Sequence, residues 1–369
     1  MNSEKVQQCT NCKYRMKDNS SHCEKYIDQI KPEFVRLANK ECINFEHKEP
    51  LNIKFENQFE ERVYGAILGF CIGDALGVPV EFTSRKERKT DPVSEMRAYG
   101  THEQGFGTWS DDTSLLLCLM DSINKGYSLK NLSENFMDFY PKGLFTPNGE
   151  LFDIGISTRN AIERMICGIV PEKCGGDTEW DNGNGSLMRV LPLAYYTKKF
   201  DFEKRKKIIE QVSSLTHSHA RSKLACIFYI EILIELINGK TKMNAYHQAI
   251  NIIKRECFNE YETEFMHFER ILDGKIGEVY ETEIKSTGYV VDTLEASIWS
   301  FLNEETYREV VLRAINLGDD TDTVAAIAGG FAGVYYGLES IPTNWKNCLV
   351  ANRKICKMIE IFVKMIDEN

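Results

Sequence analysis

Residues 318–337 read GDDTDTVAAIAGGFAGVYYG: three carboxylates, Asp319, Asp320 and Asp322, fall within four positions and lead into an apolar run. In that run Ala325, Gly329, Gly333 and Gly337 are spaced four apart, so a helix built on it presents one face without side chains. Residues 61–82, ERVYGAILGFCIGDALGVPVEF, repeat the device with Gly65, Gly69, Gly73 and Gly77. Four glycines in one helix cost roughly 3–4 kcal/mol relative to alanine, and such a cost persists where something else needs the bare face. Ordinary tight packing accounts for the glycines. Packing that close also fixes the helix ends, and both helices carry carboxylates at an end.

Outward from these two segments, apolar residues from Phe55 onward recur at helical spacing, and strand-like alternation is scarce. The spacing predicts helices over 59–77, 112–125, 153–168, 185–197, 203–216, 220–238, 243–256, 291–302, 305–316, 321–337 and 345–366. Gly- and Asn/Asp-rich loops at 100–111 and 175–185 separate them. The expected fold is all-α, one domain over 55–369, with its polar chemistry on loops.

With 369 residues, 43% of them hydrophobic, the chain can bury a large core. A formal net charge of -10 argues against a broad nucleic-acid footprint, which needs a clustered basic face. The basic runs Arg85, Lys86, Arg88, Lys89 and Lys204, Arg205, Lys206, Lys207 read as solvated faces. No stretch reaches the roughly 20 apolar residues a bilayer requires; the nearest is 324–337. The first eight residues lack a secretory pattern, so the cytoplasm is the expected address and no membrane partner is expected.

The first fifty residues differ from the rest, being polar and weakly periodic. They hold Cys9, Cys12, Cys23 and Cys42, which could supply four thiolates to a structural zinc, with His22 and His47 as further candidates. An iron–sulfur cluster and unligated thiols are the competing readings. A small appended module for docking or targeting is the expectation for residues 1–50. The other eight cysteines, such as Cys71, Cys118 and Cys226, read as small buried hydrophobes.

Chemistry concentrates in a few places. Ser110-Asp111-Asp112-Thr113 precedes the apolar run Leu115–Met120. Helix capping needs one such side chain; two adjacent carboxylates are costly unless a cation neutralises them. Asp320, Asp322 and Thr323 form a second oxygen-only set, the donor type that Mg²⁺ and Mn²⁺ select, and two sets face to face could hold two ions. Glu81 follows the end of a glycine-bearing helix; alone it is a surface glutamate, beside a metal pair a gate or general base. The loop Asp181-Asn182-Gly183-Asn184-Gly185-Ser186 suits an anionic phosphate or is a plain turn, and Gly105-Phe106-Gly107 is a weaker version of it. His217, in Thr216-His217-Ser218-His219, is a ligand contact or a helix C-terminal cap.

In this order GDALGVPVEF, WSDDTSLLL, DNGNGSLMRVLPLA, LTHSHARS and GDDTDTVAAIAGGFAGVYYG resemble the ADP-ribosylglycohydrolase family, from about Glu60 to Tyr336. The resemblance implies an all-α orthogonal bundle. It also implies that Ser110, Asp111, Asp112, Asp320, Asp322 and Thr323 ligate two divalent ions, that Glu81 lies beside them, and that Asn184, Gly185, Ser186 and His217 contact ADP-ribose. Asp319 stands where many relatives have glycine, and residues 1–50 lie outside the pattern. The activity this implies is metal-dependent hydrolysis of the bond linking ADP-ribose to a modified protein or small molecule, with arginine the acceptor the resemblance favours. Asp111 or Asp112, with Glu81 as the third candidate, would activate the water. The rival readings are a non-catalytic ADP-ribose or nucleotide-binding protein and a metal-dependent pyrophosphohydrolase.

Overall fold

The computed structural model describes residue 51 and residues 53–368. The four N-terminal cysteines and the zinc expected of them lie outside the described residues. Eleven helices of ten residues or more make up the described part: α1 (Gln58–Gly77), α2 (Asp111–Asn124), α3 (Leu129–Lys142), α4 (Ile156–Ile166), α5 (Phe202–Ser214), α6 (Ala220–Ile237), α7 (Lys242–Glu256), α8 (Val290–Asn303), α9 (Tyr307–Asn316), α10 (Thr321–Tyr336) and α11 (Asn352–Glu368). No strand occurs among the described residues, only isolated bridges such as Gly183 with Tyr289. The all-α expectation holds, in a bundle of the kind the resemblance implies.

The centre of the bundle is the pair α1 and α10. A Cβ at Gly65 would stand 2.6 Å from the Gly333 carbonyl oxygen, one at Gly69 2.7 Å from that of Gly329, one at Gly73 would collide with Ala325 and one at Gly77 with Asp322. The register runs antiparallel, and the bare faces let backbone meet backbone, as the glycine spacing requires. Every residue from Val63 to Gly77 is buried, and so is every residue from Thr321 to Val334. Helices apolar on all sides belong in a core. The segment Gln58–Val80 is long and apolar enough to cross a bilayer, a span not expected from the sequence, but its apolar 18-residue window is wholly buried inside the protein. Around the pair, α8 and α9 pack on α10, α6 packs between α7 and α8, and α11 closes over α1 and α2.

Several expected boundaries move. Helix α3 falls outside every predicted range; it is capped by Ser128, buries Leu132, Phe136 and Phe139, and carries Pro141 in its last turn, where few helical bonds remain to be lost. The range 185–197 divides into a 3-10 turn, Asn184–Arg189, and a short helix, Pro192–Thr197, whose first residue has no N–H to continue the earlier ladder. The range 345–366 breaks at Ala351, whose φ is 49°. Helix α4 starts at Ile156, three residues after the expected 153, which leaves Asp153 on a loop. Gly337 lies past α10 at φ 79° instead of on its bare face.

The basic runs are not simply solvated. Arg85 donates to the carbonyls of Leu317 (2.9 Å), Glu281 (2.5 Å) and Ile284 (2.5 Å), tying the chain after Glu81 to the segment before Gly318. Arg88 is buried, and Arg205 is buried against Glu231 at 2.6 Å. Of the eight described cysteines, six are buried, Cys356 is partly so and Cys167 is exposed. Gly107 packs against the Cys348 carbonyl with φ 71°, so the 105–107 turn serves packing, away from the cleft described next.

Candidate active site

Close packing of α1 on α10 places Gly77 against Thr321 and Asp322, and Thr321 Oγ1 donates to the Gly77 carbonyl at 2.9 Å. One turn earlier on α1, Asp74 is fully buried. Its carboxylate accepts from Ser110 N (2.9 Å), Thr113 N (3.0 Å) and Thr113 Oγ1 (2.6 Å), so α1 caps the N-terminus of α2. The two acidic helix openings therefore meet: Thr323 Oγ1 donates to Asp112 Oδ1 at 3.4 Å across 211 positions of sequence. Past the α1 terminus the chain turns at Phe82, φ 61°, whose N–H donates to the Asp319 carbonyl at 2.7 Å. That turn points Glu81 inward, where its carboxylate and those of Asp320 and Asp322 offer oxygens within 4.8 Å of one another.

A cleft of about 370 Å³ opens here, and Glu81, Asp111, Asp112, Asp153, Asp320 and Asp322 all line it. No lysine or arginine is among the described residues that line it. Burial raises the carboxyls of Asp111, Asp112 and Asp322 well above their ordinary range, and neighbouring carboxylates add to the effect. Burial likewise pushes Glu81 up to about 7, against a hydrogen bond from His102 that favours its ionised form. Asp112 Oδ2 and Asp320 Oδ1 are buried without a hydrogen-bond partner among the described residues. Leaving a shielded carboxylate oxygen unmatched is expensive, and the cost falls away when a cation takes it as a ligand. An all-oxygen donor set with orphaned anionic atoms fits hard divalent ions.

The opposite wall is neutral. Asn184, Gly185 and His217 line it, with Gly183, Ser157, Thr158 and Gly288. Asn184 Nδ2 donates to Asp320 Oδ2 (2.9 Å) and Thr293 Oγ1 (3.0 Å), coupling this wall to the acidic one. His217 is buried, its Nδ1 bonded to Thr216 Oγ1 at 2.8 Å; burial first, and then the Arg189 charge, lower its pKa to about 3, so the ring is neutral. A side chain at Gly185 would strike His217 Cε1 at 2.7 Å and Thr158 Oγ1 at 2.8 Å. It is His219, not His217, that caps a helix, and it caps the N-terminus of α6.

Among the sequence-predicted residues, Glu81, Asp111, Asp112, Asp320, Asp322, Thr323, Asn184, Gly185 and His217 converge on the cleft. Ser110 and Ser186 stand behind it. Ser110 Oγ accepts from Asp112 N at 3.3 Å, and Ser186 Oγ faces Ser213 Oγ (3.0 Å) and Cys226 Sγ (3.5 Å). Asp319 is exposed at φ 58° and touches the site only through its backbone. Sequence reasoning missed Asp74, Asp153 and His102. Asp74 sits within the quoted GDALG segment, and its charge in an otherwise apolar helix was the available signal. Asp153 lies singly in a loop and His102 at the end of the 3-10 turn Gly100–His102, without any spacing to mark them; His102 Nε2 bonds Glu81, and the three side chains His102, Glu81 and Asp153 cluster.

Comparison with known proteins agrees with this geometry. A family model described as ADP-ribosylglycohydrolase matches residues 56–369. An ADP-ribosylarginine hydrolase of Serratia proteamaculans is 33% identical over 85% of this chain and 82% of its own length. The ADP-ribosyl-[dinitrogen reductase] glycohydrolase of Rhodospirillum rubrum is 26% identical over 83% of this chain and 96% of its own. A solved structure described as an ADP-ribosylglycohydrolase-related protein complex superposes with a TM-score of 0.70 at 28% identity, covering 84% of this chain and 99% of that one.

Proposed function

The chain belongs to the ADP-ribosylglycohydrolase family, and from that premise we infer an enzyme that hydrolyses the glycosidic bond between ADP-ribose and an acceptor, releasing ADP-ribose. The hydrolytic domain is assigned to 55–369, which the extent of the family match supports. The observation that carries the reading is the meeting of two acidic helix openings, Asp111-Asp112 and Asp320-Asp322-Thr323, in one cleft with orphaned carboxylate oxygens.

Asp111, Asp112, Asp320, Asp322 and Thr323 would hold two divalent ions, Mg²⁺ or Mn²⁺, with Glu81 at their edge and Ser110 orienting Asp112 from behind. Such ions, when bound, neutralise the carboxylates and act as Lewis acids toward sugar and water oxygens. Breaking the glycosidic bond develops positive charge on the ribose, and a cleft lined by six carboxylates and, among the described residues, by no cationic side chain favours that charge. Glu81, at the edge of the ion site with its Oε2 held by the His102 ring, is placed to accept a proton from water. Asp111 and Asp112 are the other candidates for that step. Gly185, His217 and Asn184 receive the ADP-ribose by neutral hydrogen bonding, and Ser186 supports them from behind.

The acceptor is arginine, as in the name of the Serratia relative. A cationic guanidinium matches the carboxylates that line the cleft, Glu81 and Asp153 among them. An arginine-ADP-ribosylated peptide incubated with the protein and Mg²⁺ or Mn²⁺ should yield free ADP-ribose and unmodified arginine by mass, and chelator should stop the reaction. The double variant Asp320→Asn, Asp322→Asn should lose both metal uptake and turnover. Full activity in that variant, or release of AMP in place of ADP-ribose, overturns the reading.

A further inference from the structure

A guanidinium shut off from water is expected to face a carboxylate, because an unpaired buried charge is costly. Arg189 does not. It is 0% exposed, and none of its hydrogen bonds among the described residues ends on a carboxylate. Its Nη1 donates to the Gly185 carbonyl. Its Nη2 donates to Val212 (2.9 Å) and Ser213 (3.4 Å), the carbonyls that close α5, and its plane lies over the Phe136 ring at 5.0 Å. Nε has no partner.

Those targets are the two pieces of chain that carry the neutral wall. Gly185 lines the cleft directly. His217 hangs from the end of α5: its N–H donates to the Ser213 carbonyl at 2.9 Å, and Ser213 Oγ donates to the His217 carbonyl at 2.9 Å while lying 3.0 Å from Ser186 Oγ. A planar fork with five N–H donors reaches both pieces from two separate nitrogens, whereas a lysine or an amide offers a single donor nitrogen. One residue before Gly185, Asn184 binds Asp320. The fork therefore sets where the neutral wall stands relative to the acidic one.

We propose that Arg189 is a positioning residue for substrate: its guanidinium ties Gly185 to the end of α5 and so holds Gly185 and His217 at the spacing ADP-ribose requires. This rests on the reading that the neutral wall receives ADP-ribose. The fork's own hydrogen bonds end on Gly185 and the end of α5 and none on the acidic helix openings, which it reaches only through Asn184, so its loss affects ligand binding before metal uptake.

The experiment compares the full chain with Arg189→Gln, Arg189→Lys and Phe136→Leu. Calorimetry measures ADP-ribose and, separately, Mg²⁺ binding, and steady-state kinetics use the arginine-ADP-ribosylated peptide. Both Arg189 variants should bind ADP-ribose about tenfold or more weakly and raise KM by a similar factor, the loss expected for hydrogen bonds from a charged donor. Mg²⁺ uptake should stay as in the unaltered chain, and kcat should change less than KM. Phe136→Leu, which removes packing but not the fork, should lower Tm and leave KM alone. Should Arg189→Gln fail to fold, Arg189→Lys, which keeps the charge, carries the comparison. Unaltered ADP-ribose affinity in a folded Arg189 variant overturns the proposal, as does an equal rise of KM in Phe136→Leu. Failure of the unaltered chain to bind ADP-ribose at all would instead remove the functional reading beneath it.

Discussion

Asp319 shows how a residue inside the most acidic segment of the chain can be absent from its chemistry. It occupies the left-handed region at φ 58°, its N–H donates to the Thr83 carbonyl at 2.7 Å, its carbonyl accepts from Phe82, and its side chain is exposed. The position demands a backbone conformation, which glycine adopts without strain and aspartate tolerates at some cost. Asp319→Gly should therefore keep full turnover and metal affinity, and it should shift stability by no more than about 1 kcal/mol, toward the folded state where strain relief outweighs the added freedom of the unfolded chain. Thermal melts and the peptide assay check both halves; a loss of metal uptake would return Asp319 to the site. The contrast with Asp320 is one of direction: adjacent carboxylates, one facing solvent and one turned into the cleft with a buried, unpartnered oxygen.

Between elements, the α1–α10 contact converts glycine spacing into site geometry. Gly73→Ala should gain about 1 kcal/mol in helix propensity. The new Cβ, however, would collide with the carbonyl of Ala325 and approach Ala326 N, backbone atoms that cannot rotate away. Overpacking of about 1–3 kcal/mol should win, so Tm falls, and metal affinity falls with it because Gly77 and Asp322 sit on the same contact. Gly277→Ala, whose Cβ would meet Leu302 at an ordinary 3.6 Å, should be neutral. A Gly73→Ala protein as stable as the unaltered one would end the argument that close approach sets the ends. This contact was legible in sequence because glycine at every fourth position of a helix is costly unless a neighbouring backbone fills the space. So were the two acidic openings, where charge density exceeds what capping needs. Helix α3 was not, since Pro141 and a polar surface hide its buried Leu132, Phe136 and Phe139. Nor were His102 and Asp153: a single residue on a loop or turn acquires meaning only when folding brings Glu81 to it.

For the molecule as a whole, collecting buried acids in one cleft makes stability depend on pH and on cations together. Unfolded carboxyls titrate near 4, whereas burial holds Asp111, Asp112 and Asp322 well above that and Glu81 at about 7. A raised carboxyl means that the folded state binds more protons than the unfolded one, so the metal-free protein loses stability as pH rises through the folded values. His217 has the opposite sign. Its depressed pKa contributes stability that is complete above its ordinary 6.5 and is lost as pH falls toward about 3. Above about pH 6.5 the His217 contribution is complete, and the raised groups still to titrate, Glu81 and the cleft aspartates together with His102 and, outside the cleft, Glu295, all lose stability as pH rises. In chelator, Tm should fall across the window from about pH 6.5 to about pH 8. Divalent ions, binding the ionised cluster, should raise Tm by an amount that grows with pH; at a hundredfold excess over Kd the stabilisation is about 2.7 kcal/mol. The variant Asp320→Asn, Asp322→Asn should flatten both trends, since it removes two of the carboxylates whose mutual repulsion drives them. A metal-free Tm that stays level across the window, or a cation effect that shrinks as pH rises, would mean that the six carboxylates do not act as one charged site.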